Sequence, residues 1–143
     1  MICLLVMKIT KLKRVPNNRI GKYSKNGIKL ELHEENTAKL LCQYGFSVEA
    51  IKPVNTPKVR NPDYLIGGSI WETKSPTTSN LKTIKKRMHE ASEQATRIIV
   101  DLRRVKKNYN KIEKDVIKRF CNKDSFKVMI LITESGEVFE YRK

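Results

Sequence analysis

The sequence predicts an α/β domain in which helices cover a mixed β-sheet. Three observations carry that expectation. The apolar pattern reads helix, strand, hairpin, helix, strand, helix, hairpin along the chain. A length of 143 residues suits one domain with one real core. Hydrophobic residues make up 39% against 31% charged, a globular balance.

Residues 1–27 read as a basic N-terminal arm or a partial first element. Residues 2–9 suit a first strand or a leader, and Lys8 to Asn26, with Pro16 and Gly21, reads as a mobile arm or loop. Ile2 to Met7 is shorter than the ~7–15 apolar residues of a secretion-signal core, and no run approaches the ~18 of a membrane span. A single domain is expected over residues 28–143. Ile28, Leu30 and Leu32 alternate with charged residues, which fits a strand or the approach to a helix. His33 to Tyr44 reads as a helix stopped by Gly45. Phe46 to Ile51 alternates as a strand, and Pro53 to Pro62 reads as a loop carrying Lys58 and Arg60.

Two β-prone runs then flank Gly67-Gly68, a hairpin signal. Ser79 or Asn80 can cap the next helix, whose stripe is Leu81, Ile84, Met88, Ala91 and Ala95. Arg97 to Leu102 reads as a buried strand. Asn110 to Cys121 is a further helix with Ile112, Val116 and Phe120 on one side. Phe126 to Thr133 is an apolar strand, and Glu134 to Glu137 turns the chain into a last strand, Val138 to Tyr141.

Charge narrows the partner. Lys plus Arg number 30 and Asp plus Glu 15, a net charge of +15 that points to a polyanion, with nucleic acid the usual one. Residues 1–30 hold eight basic side chains and no acid, and residues 81–120 hold thirteen against five acids. Between them, Asn61 to Asn80 carries Asp63 and Glu72 against Lys74 alone. Such a map suits phosphate-binding flanks around a cation-binding centre. Cys3, Cys42 and Cys121 are odd in number and far apart, so they read as reduced thiols of a reducing compartment.

The hairpin turns spacing into geometry. A two-residue Gly67-Gly68 loop pairs Ile66 with Ser69, Leu65 with Ile70, Tyr64 with Trp71 and Asp63 with Glu72. Lys74, two residues on, points to the same face as Glu72, and Trp71 and Thr73 point away. Opposed carboxylates destabilise a ladder unless something offsets them. A divalent cation does so, and Mg²⁺ favours one or two carboxylates plus water and phosphate. Lys74 is then placed to orient water or stabilise phosphate charge. The plain alternative is a loop acid beside a surface charge pair.

Pro62-Asp63, eight residues, then Glu72-Thr-Lys74 resembles the PD-(D/E)xK nuclease motif. Asn61 to Pro76, Ala91 to Arg104 and Glu35 to Gly45 resemble the C-terminal tRNase toxin domains of contact-dependent growth inhibition proteins. The likeness runs from about residue 30 to the end. It implies a restriction-endonuclease-like core, cleavage assisted by Mg²⁺ (or Mn²⁺ or Zn²⁺), tRNA as substrate, an immunity protein as partner, and action in the cytoplasm of a target cell. It also implies an acid on the first helix at the metal. Glu35 is preferred over Glu34, with Asp63 and Glu72 as the other ligands, and Glu31 lies one turn back. The same likeness offers Gln94 as a polar active-site residue.

Lys82, Lys85, Lys86, Arg87, Arg103 and Arg104 are candidate grips on nucleic acid, against the plain reading of solvated charge. His33 and His89 read as surface residues, not general bases, and Trp71 as core. Two other functions fit the same residues: a DNA endonuclease of the same fold, and a non-catalytic nucleic-acid-binding module.

Overall fold

The computed structural model describes residues 7–51 and 63–143. The possible strand start before Met7, and the Pro53 to Pro62 loop with Lys58, Arg60 and the motif's Pro62, lie outside them.

The elements in chain order are β1 (Lys8–Lys11), a 3₁₀ turn (Asn17–Arg19), β2 (Tyr23–Ser24), α1 (Leu32–Gln43), β3 (Val48–Ile51), β4 (Asp63–Ile66), β5 (Ser69–Lys74), α2 (Leu81–Gln94), β6 (Arg97–Asp101), α3 (Tyr109–Asn122), β7 (Val128–Ile132) and β8 (Val138–Arg142). Among the described residues the strands form one eight-stranded mixed sheet in the order β1-β8-β7-β6-β5-β4-β3-β2. β5, β6 and β7 run parallel through helical crossovers, and hairpins and antiparallel pairs extend the sheet on both sides.

Two cores follow from that layering. On one face α2 and α3 pack Ile84, Met88, Ile112, Val116 and Phe120 onto Ile98, Val100, Met129 and Leu131. On the other, α1 packs Ala38 and Leu41 onto Tyr64, Trp71, Ile99 and Ile130. β7 is buried along its whole length, as a central strand covered on both faces must be. The expected α/β order holds, and the helix and strand bounds differ from expectation by one or two residues.

One expectation needs correcting. Lys8 to Asn26 is not a free loop: β1 pairs with β8, and β2 pairs with β3, so this segment supplies both outer strands. Its pattern hides this because edge strands are held by backbone hydrogen bonds. Lys8, Ile9 and Lys11 all remain exposed. Gly21 lets the segment lie close against the end of α1, where its N–H donates to the Cys42 carbonyl at 2.9 Å. Cys42 and Cys121 are buried thiols; Cys3 is outside the described residues.

Candidate active site

The hairpin forms in the expected register, with Tyr64 opposite Trp71, Leu65 opposite Ile70 and Ile66 opposite Ser69. Gly67 (φ 57°) and Gly68 (φ 82°) both take the left-handed conformation that a tight primed turn needs. Tyr64 and Trp71 are buried in the α1-side core. Strand alternation therefore sends Asp63, Leu65, Ile70, Glu72 and Lys74 to the opposite face. In-register pairing agrees, because Glu72 lies beside Ile98 and Lys74 beside Val100, both in the α2–α3 core.

On this face the two helices cover β6 to β8. No described apolar side chain of β4 or β5 joins that core, and Ile70 is 45% exposed. Asp63, Glu72 and Lys74 thus sit where the helix layer ends. Glu72 is only 3% exposed, and its Oε1 lies 3.2 Å from Lys74 Nζ. Asp63 is half-buried against Glu72. Burial first, then hydrogen bonding and repulsion from Glu72, push its carboxyl up to about 7, against a smaller opposing pull from Lys74. Two ionised carboxylates cannot hydrogen-bond each other. A proton on Asp63 makes the bond possible.

A divalent cation fits this pair. Asp63 Oδ1 and Glu72 Oε1 are both buried and have no hydrogen-bond partner among the described residues. Two hard oxygens left unsatisfied on the same sheet face meet the carboxylate needs of Mg²⁺, whose other positions go to water and phosphate. Among the described residues no group of three or more His, Cys, Asp or Glu side chains stands ready to hold a metal.

Residues 60–138 match the family described as the contact-dependent growth inhibition CdiA C-terminal domain. The chain belongs to this family. Its fold is similar to that of a chain in the "CdiA-CT/CdiI toxin and immunity complex from Burkholderia pseudomallei", at 23% identity and a TM-score of 0.64, covering 86% of this chain and 100% of the other. No curated protein is significantly similar to it.

In this CdiA C-terminal domain the remaining expected residues scatter. The α1 acids do not meet Asp63 and Glu72. Glu34 Oε1 accepts from the Glu31 N–H at 2.8 Å in a capping box, and the Glu34 carbonyl accepts from Tyr64 Oη at 2.6 Å. Tyr64 lies on the α1 face, so α1 and its acids are across the sheet from the carboxylate pair. Glu35 is paired with Lys25, which holds its carboxyl below the usual range, and it also accepts from Tyr23 Oη at 3.4 Å. Glu31 is the helix cap, 3.3 Å from His33. Gln94 is exposed on the last residue of α2 and has no described contact with the three motif residues.

The basic residues divide as well. Lys82, Lys85, Lys86 and Arg87 are all exposed on α2, and Arg87 lines a narrow gap together with Lys74, Pro76 and Met88. Arg104 donates to the Ser75 carbonyl at 3.2 Å, beside the end of the motif strand. Arg103 is committed to Asp101, through Nε at 3.0 Å and Nη2 at 2.8 Å. Asp101 is a residue that sequence reasoning missed. It is 2% exposed and also accepts from Thr37 Oγ1 at 2.6 Å, tying β6 to α1. An acid closing an apolar strand, with two arginines after it, was the available signal.

Proposed function

We propose that this domain is a PD-(D/E)xK-type, metal-dependent nuclease that cleaves RNA phosphodiester bonds, with tRNA as substrate, and acts as the toxin of a contact-dependent growth inhibition system. One observation carries the reading: two buried carboxylate oxygens without a hydrogen-bond partner among the described residues, on Asp63 and Glu72, beside the Lys74 ammonium at the margin of the helix layer. When bound there, a divalent cation supplies Lewis acidity at the phosphate.

The chain's own residues do the rest. Asp63 and Glu72 set the position of positive charge. Lys74, held beside Glu72 and 16% exposed, offers its N–H donors to a phosphate oxygen whose charge grows during cleavage. Arg87 and Arg104 flank Lys74 and favour the approach of a polyanion. The net charge of +15 also suits an acidic immunity protein that covers this margin.

The test is incubation of the purified protein with total tRNA and with plasmid DNA, in Mg²⁺ and then in excess chelator. Cleavage of tRNA that stops with chelator, and is lost in Glu72→Gln, supports the reading. Cleavage of DNA but never tRNA replaces it with a DNA endonuclease of the same fold. No cleavage of either leaves a binding module.

A further inference from the structure

A second cationic site lies between α2 and α3. A cavity of about 190 Å³ is lined by Lys85, Met88 and His89 of α2, by Arg119 and Asn122 of α3, and by Lys123 just beyond it. That volume is below the ~300–1,000 Å³ of typical small-molecule pockets. It suits a single compact group.

The chemistry of the walls selects an anion. Lys123 Nζ lies 2.6 Å from His89 Nδ1, and His89 Nε2 lies 2.7 Å from Glu93 Oε1. The simplest proton arrangement is a neutral imidazole that accepts from Lys123 and donates to Glu93. This holds the Lys123 ammonium at the cavity with donors to spare. Arg119 spends one N–H on Asp115 at 3.3 Å, and its Nε is buried without a partner among the described residues. Lys85 adds a third cation. Glu93 and Asp115 are acids in contact with these walls, and neither lines the cavity. Met88 lines both this cavity and the gap beside Lys74.

We propose that this cleft is a phosphate-binding site, formed by Lys85, Arg119 and Lys123 over Met88, that grips a backbone phosphate of the nucleic acid at a distance from the bond that is cut. The identity of the phosphate's owner rests on the nuclease reading above; the preference for a phosphate group does not. Exposed Arg87 at the Lys74 gap and exposed Lys85 at the cleft lie two residues apart on α2, so a chain lying along that side of the helix reaches both. Charge-assisted bonds from lysine and arginine to phosphate oxygens are strong, and they set register without reading bases.

Two arms test this. In the first, inorganic phosphate is titrated into isotope-labelled protein, and the Arg119 Nε–H and Lys123 signals are followed. Saturable shifts are expected in the native chain and in the control Lys114→Gln/Lys118→Gln, which removes equal charge from exposed α3 positions. The Arg119 Nε–H shift should be lost in Lys85→Gln/Lys123→Gln. In the second arm, tRNA binding is measured in a Glu72→Gln background as a function of salt. Lys85→Gln/Lys123→Gln should lower the salt slope by about 1 and weaken binding more than the control pair does.

No saturable shift, or equal effects of the two double variants, overturns the site. Saturable phosphate shifts with tRNA binding untouched overturn the nucleic acid as owner and leave a site for free phosphate. The nuclease reading fails separately, when tRNA is not cleaved at all.

Discussion

Lys74 Nζ stands 3.2 Å from Glu72 Oε1, in ion-pair range, yet that oxygen has no hydrogen-bond partner among the described residues. The contact is electrostatic and leaves both groups usable by a third party. Lys74→Met is predicted to strand a buried carboxylate beside Asp63. Its melting temperature should fall in chelator and recover in Mg²⁺, while tRNA cleavage stays about 10²–10³-fold down. A variant that melts and cuts like the native chain in both conditions would remove Lys74 from the site.

Asp63 predicts a pH dependence. Its carboxyl is raised from 3.8 to about 7 in the fold, so the folded state holds a proton that the unfolded chain releases. The sign follows: in metal-free protein, stability declines as pH rises from about 4 towards 7, then levels. Asp63→Asn should flatten that decline, as read by urea denaturation across the range. Parallel pH curves for the two proteins would contradict the assignment.

Thr37 and Asp101 are 64 residues apart and share a 2.6 Å hydrogen bond inside the protein. Thr37→Val should cost about 2 kcal/mol, the usual loss for a donor to a charged acceptor. Cleavage at temperatures where the variant stays folded should be unchanged. A selective loss of cleavage would instead make Asp101 part of the chemistry.

Gly21 is predicted to tolerate no side chain. A Cβ there would lie 1.7 Å from the Phe46 carbonyl oxygen and 2.8 Å from the Ser47 nitrogen, all rigid backbone. Gly21→Ala should destabilise by about 3 kcal/mol. Gly27→Ala has open space around it and only a positive φ of 75° to pay for, so about 1 kcal/mol is expected. Chemical denaturation of the pair separates steric clash from backbone strain.

The hairpin was legible in sequence because its information is local. A period of two and a Gly-Gly turn are enough to set Asp63 and Glu72 together and to send Trp71 away. The central helices and strands were legible for a similar reason, since a buried stripe or run is continuous along the chain. The outer strands were not, because exposed Lys8 and Ile9 pair through backbone atoms that every sequence has. The α1 acids were misleading for another reason. The acids lie close in sequence, but which side of the sheet α1 occupies depends on Tyr64, thirty residues away. Asp101 required the same kind of distant partner.

Lys8 pairs with Arg142 at one margin of the sheet, so the start of β1 and the end of β8 lie side by side. Force applied between those two ends would act across the β1–β8 ladder and not along it. The bonds would open singly from Lys8 towards Lys11, as a zipper does, instead of resisting together in shear. Because the Lys8 to Ser24 segment also supplies β2 at the far margin, peeling β1 away leaves β8 bare while the opposite border is still closed. Mechanical unfolding should therefore begin at low tension and at a single, foreseeable edge.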